Sequence, residues 1–189
     1  MVGTTAWLLA IFIVGVYLAS LYNQFVTLRH NVRRAWSNID VLLKQRHDEL
    51  PKLIETCKQH MKFEQETLDR VTRARSAVNT ANVSGDLAAL GAAETELRAG
   101  LGRLFAVAES YPELKASASF QQLQSRISML ETSISDRREL YNEAANINNV
   151  AVEQFPASVI AGMFAFVPVK LLEFSEAEIA DVDVKALFN

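Results

Sequence analysis

The sequence is poor in the residues that build tight turns and disulfides. Its 189 residues include seven glycines, four prolines and a single cysteine, Cys57. So few turn residues argue against a β-rich fold, and one cysteine excludes an intrachain disulfide. The net charge of -3 gives no support for a basic face that would neutralise nucleic-acid phosphates. Half of the residues are hydrophobic and 22% are charged, a mixture that suits helices with an apolar core and a solvated surface.

Charged side chains are also missing from the first 28 residues, which precede Arg29. Residues 2–22 form an apolar run of about 21 residues, about 32 Å long as a helix, which is enough to cross a hydrocarbon core of about 30 Å. Trp7 lies near one end of the run, and Tyr17 and Tyr22 lie near the other, where aromatic rings favour the headgroup level. We therefore expect residues 1–22 to be a transmembrane anchor.

Two other interpretations of this run are a cleaved signal peptide and a buried core helix. A signal peptide would start with basic residues, and cleavage after Ala19 would put bulky Tyr17 where a small residue is required. The flanking charges predict the orientation of an anchor. Arg29, Arg33 and Arg34 follow the run while no Lys or Arg precedes it, which predicts that the domain after the anchor is cytoplasmic and that these arginines lie close to anionic headgroups.

Apolar residues after the anchor recur at alternating spacings of three and four, which is typical of helices packed nearly antiparallel, as in coiled coils. We expect breaks at Pro51, at residues 82–86 and at Tyr111-Pro112, with Phe155-Pro156 ending the last helix. Ser84 or Asp86 is expected to cap the third helix and Ser117 or Ser119 the fourth. The sequence thus predicts an all-α fold in which a transmembrane helix precedes an antiparallel up-down four-helix bundle of long helices, residues 23–156.

The segment after the bundle, residues 157–172, is apolar and carries no charge before Lys170. Because each short turn reverses the chain, the fourth helix of such a bundle ends near the membrane. The segment is too short to span a bilayer, so we expect Phe164 and Phe166 to dip into the interface or to seal the end of the bundle. An ordinary covering loop is the alternative. Residues 173–189 form a tail that is acidic at its start, and we expect it to be loosely ordered.

Polar residues interrupt the apolar positions of the predicted helices. Glu94 is in step with Leu90 and Leu97, and Arg137 lies between Ile134 and Tyr141. A lone buried charge costs several kcal/mol. We therefore expect a Glu94–Arg137 pair that fixes helix register; a ligand site and side chains reaching solvent are the alternatives.

No pattern in the sequence predicts catalysis or a cofactor. Di-metal helical bundles use Glu-x-x-His motifs, and none of His30, His47 and His60 has a Glu three residues before it. His-Glu-x-x-His, Cys-x-x-Cys and P-loop motifs are absent as well. Cys57, in step with Ile54 and Met61, is interpreted as a small core residue rather than a nucleophile. We expect no metal, no cofactor, no small-molecule substrate and no enzyme activity.

Several motifs spread over about residues 20–156 resemble those of the LemA family: Ala35-Trp36-Ser37-Asn38-Ile39-Asp40-Val41, Leu50-Pro51 with Leu53-Ile54-Glu55-Thr56, Glu66-Thr67-Leu68, Ala106-Val107-Ala108-Glu109 with Tyr111-Pro112-Glu113-Leu114-Lys115, and Phe155-Pro156. The resemblance implies a bacterial membrane protein with one N-terminal anchor, an antiparallel four-helix bundle and no established catalytic residues to carry over. The sequence departs from the pattern at Cys57, usually aliphatic, and at Asn148-Asn149, usually Tyr-Asn.

The function expected from these features is a membrane-anchored helical scaffold or adaptor. Its partners would be the lipid bilayer and either a second protein or further copies of the chain. Trp36 is interpreted as core packing or as a protein-binding anchor, since a partly exposed Trp is a frequent interface hot spot. The alternative function is a membrane-shaping or lipid-contacting protein that acts through the apolar segment after the fourth helix.

Overall fold

The structure, a computed structural model, describes residues 2–173, with side chains from Thr4 onward. The predicted tail, residues 173–189, therefore lies outside the described residues except for Glu173. Between residues 2 and 173 there are helices and no strands, so the prediction of an all-α chain is confirmed. The helices are α1 (Val2–His60), α2 (Gln65–Ser84), α3 (Leu87–Ala108), α4 (Pro112–Lys115), α5 (Ala118–Glu153) and α6 (Ala157–Met163).

The chain forms two compact units. Among the described residues, the first consists of residues 2–39 and 137–171, and the second of residues 40–136 and 172–173. Helices α1 and α5 each contribute one segment to each unit.

The core of the first unit is small and aromatic. Phe25 of α1 is buried together with Ile160 and Ala161 of α6 and with Phe166, which follows α6. Partly buried apolar side chains surround this cluster: Leu21, Val26, Ala151, Val152 and Ala157. The segment that follows α5 therefore packs onto α1, next to the apolar N-terminal stretch of α1.

The core of the second unit is lined by apolar side chains at spacings of three and four. Buried members include Leu43, Leu50, Leu53 and Cys57 of α1, Leu68, Val71 and Val78 of α2, Leu90, Leu97, Leu101 and Leu104 of α3, and Phe120, Ile127, Leu130 and Ile134 of α5. Most of them recur at the spacings of three and four that the sequence predicted for helices packed on one another. Phe155, expected in the last helix, is exposed because α5 ends at Glu153.

The connection between α2 and α3 uses the expected turn chemistry. Gly85 has φ +71°, a left-handed conformation that glycine adopts without a Cβ clash. Of the two expected caps, Asp86 is the one used: its carboxylate accepts hydrogen bonds from the backbone N–H groups of Ala88 and Ala89, both at 3.1 Å. A Cβ added at Gly100 of α3 would lie 3.3 Å from Val71 of α2, so the two helices approach closely there.

The break predicted at Pro51 is wrong, because α1 continues through this residue to His60. Proline lacks the N–H that would bond to the carbonyl four residues earlier, here that of His47. The Nε of Arg75 donates to this carbonyl at 2.9 Å and replaces the missing bond. A side chain from α2 therefore offsets part of the cost of a proline inside α1.

Candidate functional site

The N-terminal part of α1 is exposed in the structure from Thr4 onward. Every described side chain from Thr4 to Ser20 is exposed, and this stretch is long and apolar enough to cross a membrane. The side chains of Trp7, Tyr17 and Tyr22 are all exposed. An exposed apolar surface of this size is typical of a stretch that contacts a membrane or another protein. None of its most apolar window is buried, so the interpretation as a buried core helix is wrong for the described chain.

The apolar segment after α5 folds against α1 close to the end of this exposed surface. The ring of Phe164 meets Tyr22 edge to face with centroids 4.9 Å apart, and the ring of Phe166 lies 5.8 Å from Tyr22. Phe166 also stacks on Phe25 at 5.0 Å with an interplanar angle of 22°. These contacts place the segment beside Tyr22, where the predicted anchor ends.

Phe164 and Phe166, for which the sequence predicted the same role, have different environments. Phe166 is only 8% exposed, whereas Phe164 is 54% exposed. Phe166 holds the segment in place, and Phe164 belongs to its outer surface. Other apolar side chains in and just before this segment are exposed as well: Phe155, Val159, Met163 and Val167.

Two side chains of α5 fix the backbone that follows Phe166. The amide of Asn149 donates to the carbonyl of Val169 at 2.8 Å and accepts from the Val169 N–H at 2.7 Å. The hydroxyl of Tyr141 donates to the carbonyl of Lys170 at 2.9 Å. Sequence reasoning missed these roles; the one available signal was polar Asn148-Asn149 among apolar positions of the last helix.

The three arginines after the anchor differ in their contacts. The guanidinium of Arg29 lies over the ring of Phe166, 5.3 Å from its centroid, in a cation–π arrangement. Arg33 and Arg34 are exposed to solvent. Arg29 therefore contributes to the packing of the segment as well as to the positive charge of this unit.

Trp36, the predicted core or interface residue, is half-buried. Its ring packs edge to face against the ring of Tyr141, with the two centroids 5.5 Å apart. Part of the Trp36 side chain is accessible at the surface.

The second unit contains a buried ion-pair network. Arg46 of α1 is 1% exposed and pairs with Glu94 of α3 and, at 2.6 Å, with Glu131 of α5. Arg98 also approaches Glu131, at 3.3 Å. Burial disfavours the charge of Arg46, but the two carboxylates outweigh burial and hold its pKa above the ordinary value. Burial raises the pKa of Glu94, and Arg46 opposes this rise.

The predicted partner of Glu94 was wrong. Buried Glu94 is paired, as the cost of a lone charge requires, but with Arg46 instead of Arg137. Arg137 is exposed and forms no ion pair with a described residue. One oxygen of Glu94, Oε2, has no hydrogen-bond partner in the described part of the chain.

Between residues 2 and 173, no three His, Cys, Asp or Glu side chains are placed to hold a metal ion. Cys57 is fully buried, and burial raises its pKa to about 11, which keeps the thiol protonated and unreactive at neutral pH.

Comparison of the sequence with known proteins identifies a family and several relatives. The family model described as the LemA family matches residues 35–186. Protein LemA of Metamycoplasma hominis is 29% identical over 167 residues, which are 88% of this chain and 75% of the relative. Magnetosome protein MamQ of Magnetospirillum gryphiswaldense and magnetosome protein MamQ 2 of Paramagnetospirillum magneticum are each 24% identical; they cover 77% and 81% of this chain. The chain spans 62% and 66% of these two relatives, less than two thirds.

These similarities, with the exposed apolar start of α1, indicate a membrane-associated helical protein. The family they identify is not a known enzyme family.

Proposed function

Because the chain belongs to the LemA family, we propose that it is a membrane-anchored helical scaffold or adaptor, with residues 1–22 as the anchor. One observation carries this proposal: the exposed apolar surface from Thr4 to Ser20 lies on the same continuous helix that supplies buried side chains to both units. The exposed apolar surface and the buried side chains of this part of the chain thus belong to a single helix, α1.

We propose for residues 23–156 an antiparallel arrangement of four long helical segments: the later part of α1, then α2, α3 and α5. The ion pairs of Arg46 with α3 and α5, and the contact of Arg75 with α1, support this arrangement inside the second unit.

The proposed location is the bacterial plasma membrane, with the domain after the anchor in the cytoplasm. Arg29, Arg33 and Arg34 follow the apolar run, and such residues are disfavoured for translocation. Fusion of a fluorescent protein to the C-terminus should give fluorescent cells, and fusion of alkaline phosphatase there should give inactive enzyme. Active phosphatase with a dark fluorescent fusion would reverse the orientation.

The scaffold proposal requires a protein partner, either a second copy or another membrane protein. Half-buried Trp36 is one candidate contact, since large aromatic residues are frequent interface hot spots. A photo-crosslinking amino acid at Ser37, exposed beside Trp36, tests this in native membranes, with the exposed Met129 as the matched control position. A discrete crosslinked species from position 37 that is absent from position 129 would support the proposal. If neither position 37 nor position 129 gave a crosslinked species, this result would oppose the proposal.

A second function, contact with lipid that shapes the membrane, is favoured by the exposed apolar surface formed by Phe155, Val159, Met163, Phe164 and Val167. Val159 and Met163 are one helical turn apart on α6 and thus share a face. Tyr22, in contact with Phe164, marks the predicted headgroup level. This arrangement suits a short apolar wedge in the interface beside the anchor.

Vesicle shape tests the second function. Full-length protein reconstituted into vesicles should narrow their diameter relative to protein-free vesicles, and the double variant Met163→Asp/Phe164→Asp should lose this effect. Met129→Asp, which alters another exposed methionine, in the second unit, should retain it. Equal diameters for the wild type and the double variant would contradict a membrane-shaping role.

A further inference from the structure

The first unit is basic, in contrast to the chain as a whole. Residues 1–39 and 137–171 carry six Lys or Arg against three Asp or Glu, a formal charge of +3, although the chain carries -3. No acidic residue occurs before Asp40. Such an excess raises the local concentration of anions around this unit.

A pocket with a volume of about 170 Å³ lies within this unit. Asn31, Arg34, Ala35 and Asn38 line it from α1, and Arg137 and Leu140 line it from α5. The four α1 residues are spaced by three, one and three positions, which puts them on one helix face. The pocket is smaller than the roughly 300–1,000 Å³ typical of sites for whole drug-sized ligands, so it suits one charged group of a ligand.

The side chains in the pocket are suited to an oxyanion. Arg34 and Arg137 are exposed, and neither forms an ion pair with any described residue. A guanidinium offers planar pairs of donors that match phosphate oxygens, and the amides of Asn31 and Asn38 are further donors. The acidic residue nearest in sequence within the unit, Glu139, is two positions from Arg137 and so does not share its helix face.

We propose that this pocket binds a phosphate group between Arg34 and Arg137. The group can belong to a soluble phosphate compound or to a lipid headgroup. Arg34 is 12 residues beyond Tyr22 on α1, about 18 Å along the helix axis. A headgroup layer extends only about 5–8 Å beyond the hydrocarbon core, so the height of the pocket favours a soluble compound.

The arginine side-chain N–H resonances of full-length protein in nanodiscs test this inference. Arg34→Gln and Arg137→Gln assign the two signals and remove the site, while Arg33→Gln assigns a neighbouring exposed arginine that does not line the pocket. One titration adds inorganic phosphate to phosphatidylcholine nanodiscs at constant ionic strength. The other compares nanodiscs with and without phosphatidylglycerol.

Saturable shifts of Arg34 and Arg137 with inorganic phosphate, without shifts of Arg33, would support a soluble ligand. Each pocket variant should then weaken the Kd at least about tenfold, and Arg33→Gln should change it less than about twofold. Shifts of the same two signals with phosphatidylglycerol alone would support the phosphate site with a lipid as its ligand. Equal shifts of all three arginines, or no shifts, would overturn the proposal.

Discussion

Phe166 stacks on Phe25 with ring centroids 5.0 Å apart, and this contact joins the segment after α6 to α1. The ring of Phe166 also contacts Tyr22 edge to face and lies under the guanidinium of Arg29. Four residues thus hold the apolar segment at the end of the predicted anchor. Phe164, two positions before Phe166, is exposed on the surface and can contact other molecules.

The different environments of Phe164 and Phe166 predict different effects of truncation. Phe166→Ala should lower the free energy of unfolding by about 3 kcal/mol, because it leaves a cavity in a small core. Phe164→Ala should cost less than about 1 kcal/mol, as expected for an exposed side chain. Thermal unfolding of full-length protein in detergent micelles provides the measurement, and equal losses for the two variants would contradict the assigned environments.

The buried pair of Arg46 and Glu94 predicts strong coupling. Arg46→Met should lower the free energy of unfolding by about 3–5 kcal/mol, because Glu94 is left buried without its partner. Arg46→Met/Glu94→Met should be more stable than Arg46→Met alone, since both charges are removed together. A double-mutant cycle in urea gives the coupling energy. Additive effects of the two substitutions would show that these residues do not interact.

The bond from Arg75 to the carbonyl of His47 predicts an interaction with Pro51. Arg75→Met should cost about 1–3 kcal/mol in the wild-type background, because the carbonyl loses its donor. The cost should be smaller with Pro51→Ala, since alanine restores the N–H that an α-helix uses for the same carbonyl. Urea unfolding of the four proteins tests this, and an equal cost in both backgrounds would disprove the compensation.

His47 predicts a pH dependence of stability. Burial, followed by the charge of Arg75, lowers the pKa of His47 below its ordinary value, whereas Asp48 opposes this shift. The neutral ring accepts a hydrogen bond at Nε2 from the guanidinium of Arg75 at 2.7 Å.

A pKa that is lower in the folded than in the unfolded state makes unfolding take up a proton between the two values. The free energy of unfolding should therefore fall as the pH drops from 7 through the ordinary value of 6.5 towards the lowered one. His47→Gln keeps an acceptor for Arg75 but cannot titrate, and it should lack this component. Urea unfolding of the wild type and of His47→Gln at several pH values measures this difference. Parallel dependence of the free energy of unfolding on pH in the two proteins would show that His47 is not its source.

Periodicity predicted helices and most core positions well, because spacings of three and four report directly on one helix face. It failed at Pro51, where the residue that permits a continuous helix, Arg75, is 24 positions away in sequence. It also named the wrong arginine for Glu94: heights along predicted helices cannot decide which of several arginines faces a buried carboxylate. The separate environments of Phe164 and Phe166 could not be predicted, since both residues follow α6 and no helical spacing applies to them.

The most direct test of a membrane-apposed segment is the environment of Met163, which is 72% exposed. A nitroxide label is placed at Met163→Cys or, as the control, at Met129→Cys in full-length protein in bilayers. Buried Cys57, with a pKa of about 11, should not take the label at neutral pH. Electron paramagnetic resonance then compares collisions with apolar oxygen and with a water-soluble nickel chelate. We predict that oxygen dominates at position 163 and the chelate at position 129. Equal access of the chelate to both positions would contradict contact of this segment with the membrane.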